Sequence, residues 1–241
     1  MFSGTVVDKT TGITVGHALN AEEAVMTFRP QNGEEVREVI GQCLQTFRDV
    51  QARTERSEFT ITADMAVLDL QPDFWLRKNL VQWAEREFRV KIYKGPSISV
   101  NTEVMVLDQM GRFQTGIIRR EPFTDTYLET RGMGNLYNVL GIGTAAGTHE
   151  SAITRPGDSG ALVLSLPSER SGDSEDDVLY VYGIVISLYS WSENYLTIAN
   201  HLGKVIPNVF SSENVVQRVH NIPTDEIDFT EVMDDGPDAQ H

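Results

Sequence analysis

The chain has 241 residues, 40% of them hydrophobic, and a formal net charge of −15 from 20 basic and 35 acidic side chains. This length suffices for one large domain or two small lobes with a sizeable core. The excess of acid argues against a nucleic-acid partner, because phosphate backbones are bound by clustered Lys and Arg. The one cysteine, Cys43, excludes an internal disulfide and a Cys-based zinc site.

The same features predict where the protein resides. A single cysteine favours a reducing compartment. The first residues, MFSGTVVDKTTG, lack the basic start and apolar centre of a signal peptide. Since no run of 18 apolar residues occurs, we expect no membrane partner and a cytoplasmic or otherwise intracellular location.

Short runs rich in β-branched residues follow one another along most of the chain. They are separated by polar turns, which is typical of an all-β sandwich or barrel pair. The predicted strands cover 3–7, 12–19, 24–28, 58–62, 65–70, 89–93, 102–108, 112–120, 135–144, 161–166, 178–189 and 195–199.

Three segments depart from this pattern and predict helices. Apolar residues recur at steps of three and four near 34–51 and near 72–88, where Pro72 suits a helix start. A shorter helix is predicted near 200–209. Beyond it, residues 211–241 hold eight acidic side chains and one arginine, which predicts a disordered tail behind a domain of residues 1–210.

The stretch RPGDSGALV places Ser159 between glycines. A serine hydroxyl needs a nearby base to become a nucleophile, and donors aimed at the oxyanion that forms. Gly157 allows a turn in which the N–H groups of Gly157 and Ser159 point together, while Gly160 leaves the hydroxyl uncrowded. Asp158 can hold the loop in shape.

Two further residues suit the needs of such a serine. His17 follows an apolar strand in TVGHAL and could act as the base, although a histidine in this position is also common in a plain core. Asp64 precedes the apolar run MAVLDL, where a carboxylate needs a partner. A histidine N–H would provide one, although a turn cap would explain Asp64 equally well.

The order and spacing of these three residues carry a resemblance. Asp64 follows His17 by 47 residues, and Ser159 follows Asp64 by 95, close to the chymotrypsin-like gaps of about 45 and about 93. With YVYGIVISL and YLTIANHLGKVI, the motifs TVGHAL, DMAVLDL and PGDSGALV resemble the trypsin/chymotrypsin-like (S1-type, PA clan) serine peptidase superfamily over about residues 3–210.

The resemblance implies two antiparallel β-barrels, with lobe one at about 1–90 and lobe two at about 91–199. It implies a serine endopeptidase with a His17–Asp64–Ser159 triad, an oxyanion hole from the N–H groups of Gly157 and Ser159, a protein or peptide substrate, and neither cofactor nor metal. The implied substrate pocket is formed by Ile153, Ile186, Ser187 and Leu188.

Only 16 residues precede His17, fewer than in the superfamily. We therefore expect an incomplete first barrel, or a piece of a longer parent chain with other domains. Two alternatives to an active peptidase remain open. One is a catalytically inactive protease-like domain that serves as an interaction or sensor module, and the other is an unrelated all-β protein in which GDSG is incidental.

Overall fold

Two β-sheets and one helix make up the regular structure of the described residues. The computed structural model describes residues 5–6, 11–31, 34–53, 58–71, 80–83, 85–95, 97–108, 111–125, 135–144, 151–167, 178–191 and 194–210. The elements are β1 Thr5–Val6, β2 Thr11–Val15, β3 Ala24–Gln31, β4 Glu34–Arg53, β5 Glu58–Leu70, β6 Leu80–Trp83, β7 Arg86–Ile92, β8 Glu103–Leu107, β9 Phe113–Asp125, β10 Leu136–Gly143, β11 Leu162–Ser165, β12 Val178–Trp191, β13 Asn194–Ala199 and α1 Leu202–Phe210.

The first sheet is antiparallel and contains five strands among the described residues. Their order is β1-β2-β5-β4-β3, so the two-residue strand β1 and the strand β3 form its edges. Within the described part of the chain these edges do not pair with each other. The sheet is therefore an open half-barrel, in agreement with the predicted incomplete first barrel.

The second sheet closes into a barrel. Its order is β11-β8-β9-β10-β13-β12-β7-β6, and an additional pairing of β11 with β12 joins six of these strands into a ring. β7 adds to the start of β12 as a parallel strand, and β6 pairs with β7. The hairpin of β6 and β7, most of which was predicted to belong to lobe one, is thus part of the second sheet.

The predicted helix near 34–51 is wrong, because this segment is the long strand β4. Its pairing with β5 shifts between Cys43 and Gln45, where β4 contains one extra residue. Such a bulge reverses the alternation of side chains along a strand. A second shift, between Phe47 and Asp49, places an extra residue in β5, and Cys43 is buried before both shifts whereas Val50 and Ala52 are buried after them. The buried residues of β4 therefore do not alternate regularly along the strand. Their spacing resembles the steps of three and four that are typical of a helix.

The predicted helix near 72–88 is also wrong where it can be compared. Residues 80–83 and 86–92 form β6 and β7, which turn at Glu85 with a left-handed φ of 66°. Phe88 and Val90 are buried while Arg89 between them is exposed, as expected of a strand. Residues 72–79 lie outside the described residues, as does the predicted tail at 211–241.

The predicted C-terminal helix is confirmed as α1. Its buried face, with Leu202, Val205 and Ile206, joins a core that includes Ile13 of the first sheet and Ile184 of the second. Both sheets and the helix thus share one hydrophobic core, which sets how β2 and β5 lie against the second barrel. No helix in the described ranges is long and apolar enough to span a bilayer.

Candidate active site

The structure brings His17 and Asp64 into direct contact. The backbone N–H of His17 donates to Oδ1 of Asp64 at 2.8 Å, and the ring Nδ1 lies 2.7 Å from Oδ2. One carboxylate therefore holds the histidine at two points. With the proton on Nδ1 facing the carboxylate, the other ring nitrogen, Nε2, is an acceptor and can take a proton from a nucleophile.

The backbone around this pair is closely fitted. The N–H of Gly16 donates to the carbonyl oxygen of Asp64 at 2.8 Å. A Cβ at Gly16 would lie only 2.8 Å from the backbone nitrogen of Met65, so this approach requires glycine. Asp64 itself has a left-handed φ of 34°. Such strain costs about 1–3 kcal/mol and is concentrated at functional sites.

Exposure differs between the two side chains. The His17 side chain is 49% exposed, whereas that of Asp64 is 20% exposed. The carboxylate is thus largely covered, and the imidazole remains open to an approaching group. This arrangement suits a base that must meet a substrate.

The loop around Ser159 is fixed by its own hydrogen bonds. Gly157 and Gly160 both have a left-handed φ, of 101° and 92°. The N–H of Arg155 donates to Oδ2 of the buried Asp158 at 2.8 Å, and the N–H of Asp158 donates back to the carbonyl of Arg155 at 3.0 Å. Asp158 therefore holds the loop in shape, as the sequence analysis expected.

Ser159 is half-buried at the tip of this loop. Within the described residues, neither its hydroxyl nor the N–H groups of Gly157 and Ser159 make a hydrogen bond. Among the described residues the hydroxyl is thus not bonded to His17, and neither predicted oxyanion donor has a partner. Catalytic hydrogen bonds are often long or unformed until a substrate is bound.

The four predicted pocket residues differ in accessibility. Ile153, Ser187 and Leu188 are partly exposed, whereas Ile186 is buried beside Val15 in the core between the sheets. Ile153 also borders a cleft of about 220 Å³ beside the loop. The other residues that line this cleft are Asp108, Gln114, Thr115, Thr144, Ala152, Thr154, Arg155 and Asp158.

Several polar residues of the site were not singled out by the sequence. The buried hydroxyl of Thr197 accepts the N–H of Ile153 at 3.1 Å and lies 2.8 Å from that of Thr154. Asn200 is fully buried between β13 and α1. A polar residue between an apolar strand and an apolar helix is the signal that could have drawn attention to Asn200.

The second barrel forms hydrogen bonds to β5 just before Asp64. The N–H of Tyr137 donates to Oγ1 of Thr62 at 3.0 Å, and Nδ2 of Asn138 donates to the carbonyl of Thr60 at 2.7 Å. Hydrogen bonds as well as apolar packing therefore fix the two sheets relative to each other near the site.

Cys43 lies apart from the site. It is fully buried in the first sheet beside Ile40 and Leu68, and burial raises the pKa of its thiol. A neutral, buried thiol is a poor nucleophile. We expect a thiol reagent to modify the native protein far more slowly than the urea-unfolded protein, as followed by mass spectrometry. Equal rates in the two states would contradict this placement.

Among the described residues, no group of three or more His, Cys, Asp or Glu side chains could hold a metal ion.

Three solved structures are among those similar to this chain. Thermobifida fusca protease A is 13% identical, with 87% of each chain covered and a TM-score of 0.51. Nocardiopsis protease is 17% identical, with 87% of each chain covered and a TM-score of 0.47. Cellulomonas bogoriensis chymotrypsin is 13% identical over 90% of this chain and 85% of its own, with a TM-score of 0.47.

The match with Thermobifida fusca protease A shows the fold of the chymotrypsin-like serine proteases. No protein-family model and no curated protein sequence matches the chain.

Proposed function

We propose that the protein is a serine endopeptidase in which Ser159 is the nucleophile, His17 the general base and Asp64 the group that orients His17. The observation that carries this proposal is the two-point hydrogen bonding of His17 by Asp64. The His17 side chain is 49% exposed, so the plain core histidine that the sequence also allowed does not describe it. The Ser159 loop supports the same assignment, because its own hydrogen bonds fix its shape and no described residue occupies its two amide donors.

The proposed reaction has two stages. Oγ of Ser159 attacks the carbonyl carbon of the scissile bond while Nε2 of His17 takes the hydroxyl proton, and the N–H groups of Gly157 and Ser159 stabilise the oxyanion. The C–N bond then breaks, and His17 gives the proton to the leaving amine. Water attacks the acyl-enzyme with the same assistance from His17, which releases the acid and restores Ser159.

The substrate is proposed to be a protein or peptide chain. Ile153 at the base of the pocket, with Ser187 and Leu188 as walls, favours an apolar or small side chain before the scissile bond. Ile186 would support the wall from behind, because it is buried. The proposal involves no nucleic acid, metal or cofactor, and it places the protein inside the cell. A peptide library cleaved only after Arg or Lys would contradict the predicted preference.

Fluorophosphonate labelling tests the proposed nucleophile. These reagents phosphonylate serines that an adjacent base activates, with fluoride as the leaving group. We expect a single phosphonylated site at Ser159, located by peptide mass spectrometry, and complete loss of labelling in Ser159→Ala. The control Ser99→Ala removes an exposed serine outside the site and should label like the wild type.

The same experiment tests the main alternative. If the folded wild-type protein is not labelled, the proposed activity is wrong and the inactive interaction or sensor module becomes the better assignment. Labelling that persists in Ser159→Ala would mean that another residue is the nucleophile.

A further inference from the structure

We propose that Asn200 is a positioning residue that sets the His17–Asp64 pair at the correct distance from Ser159. This inference rests on the proposed peptidase function. Asn200 lies between β13 and α1, outside the three segments that supply His17, Asp64 and Ser159. Its side chain is fully buried, and both ends of its amide are hydrogen-bonded.

One end of the amide bonds to the residue before the acid. Nδ2 of Asn200 donates to the carbonyl oxygen of Ala63 at 2.8 Å, across 137 residues of sequence. Ala63 directly precedes Asp64, whose carboxylate holds His17. A shift of the Ala63 carbonyl would therefore move the backbone from which Asp64 projects.

The other end of the amide bonds to the strand that pairs with the segment after the nucleophile. Oδ1 of Asn200 accepts the N–H of Ile184 at 2.9 Å. The next residue, Val185, bonds to both residues that follow Ser159: its carbonyl accepts the N–H of Gly160 at 2.9 Å, and its N–H donates to the carbonyl of Ala161 at 2.8 Å. One buried amide thus connects the segment before Asp64 to the segment after Ser159.

This connection has a chemical consequence. The two halves of the proposed triad lie on different sheets, and proton transfer requires Oγ of Ser159 and Nε2 of His17 to come within hydrogen-bond distance. A displacement of about 1 Å at such a site costs on the order of 100-fold in rate. Because Asn200 is buried, no water can easily replace either of its hydrogen bonds.

A neighbouring asparagine provides a matched control. Asn138 also donates across the interface to β5, but its acceptor is the carbonyl of Thr60, four residues before Asp64. Its backbone φ is left-handed at 54°, so Asn138→Gly removes the side chain without backbone strain. A general loosening of the interface would lower the reactivity of variants at both asparagines. If Asn200 positions the triad, only the variants at Asn200 should lose reactivity.

The experiment compares inactivation kinetics with a fluorophosphonate for the wild type, Asn200→Leu, Asn200→Asp and Asn138→Gly. Asn200→Leu removes both hydrogen bonds. Asn200→Asp keeps an acceptor for the Ile184 N–H and, as the ionised carboxylate, has no donor for the Ala63 carbonyl, so when assayed at alkaline pH it also carries the test if Asn200→Leu does not fold. We expect the maximal inactivation rate to fall about 100-fold in both Asn200 variants. The inhibitor concentration for half-maximal rate should stay unchanged, and Asn138→Gly should remain within about threefold of the wild type in both parameters.

A lower stability alone would not reduce the maximal rate of molecules that remain folded, as checked by circular dichroism at the assay temperature. The inference is overturned if folded Asn200 variants react at the wild-type rate, if the loss lies in the half-maximal concentration, or if Asn138→Gly loses as much. These results presuppose a labelled wild type. An unlabelled wild type would instead overturn the proposed function together with this inference.

Discussion

Asp64→Asn should lower kcat for peptide hydrolysis by about 10⁴ with little change in KM, the size of effect seen when the triad carboxylate becomes an amide. The structure supplies the reason. The backbone N–H of His17 occupies Oδ1 and needs an acceptor there. In the variant the amide oxygen takes this position, so the NH₂ group faces Nδ1 of the ring. The ring must then carry its proton on Nε2, where it cannot accept a proton from Ser159.

This prediction is checked by steady-state kinetics on a fluorogenic peptide. Asp69→Asn is the control, because Asp69 is an exposed acid on the same strand β5. It should keep kcat within about twofold, which is typical of surface substitutions away from a site. A loss of less than tenfold in Asp64→Asn would show that Asp64 does not set the ring tautomer.

Acid should destabilise the protein through His201. This histidine is fully buried, and neither ring nitrogen has a hydrogen-bond partner among the described residues. Burial, aided by the positive charge of Lys204, lowers its pKa from 6.5 to about 4. Glu121 lies 3.9 Å from Nε2 but forms its close ion pair with Lys204.

The direction of the effect follows from proton binding. Between pH 6.5 and about 4 the unfolded chain protonates this histidine while the folded protein keeps it neutral. Above about pH 6.5 the histidine is neutral in both states and does not lower the free energy of unfolding. As the pH falls to about 4, that free energy decreases by about 3 kcal/mol in total.

Urea unfolding at several pH values between 7 and 4.5 measures this loss. His201→Leu has no titrating ring and should lose at least about 2 kcal/mol less than the wild type over this range. The acidic residues titrate in both proteins and cancel in the comparison. Identical pH dependence in the two proteins would mean that the folded protein accommodates a charged His201.

More of the proposed site than of its supporting strands could be predicted from the sequence. Glycines around Ser159, a histidine after one strand and an acid in another are local patterns with chemical requirements. The hydrogen bonds between His17 and Asp64 agree with the pairing inferred from them. The catalytic roles themselves stay predictions until labelling is measured.

Two parts of the structure could not be predicted from local patterns. Two register shifts between β4 and β5 separate the buried Cys43 from the buried Val50 and Ala52, and the positions of these shifts depend on how the two strands pair. The role inferred for Asn200 depends on Ala63, which lies 137 residues away in sequence. Such partners are defined by the tertiary fold, and no window of the sequence contains both.

The position of β13 has a consequence for synthesis of the protein. This strand, the last in the described chain, lies between β10 and β12 in the sheet. A ribosome releases the chain from its N-terminus, so β10 and β12 emerge before the strand that joins them. The second barrel can close only after Ala199 has emerged, and Asn200 follows directly. A nascent chain that already contains His17, Asp64 and Ser159 has therefore not yet closed its second barrel, and the proposed site cannot be complete before Ala199 and Asn200 have emerged.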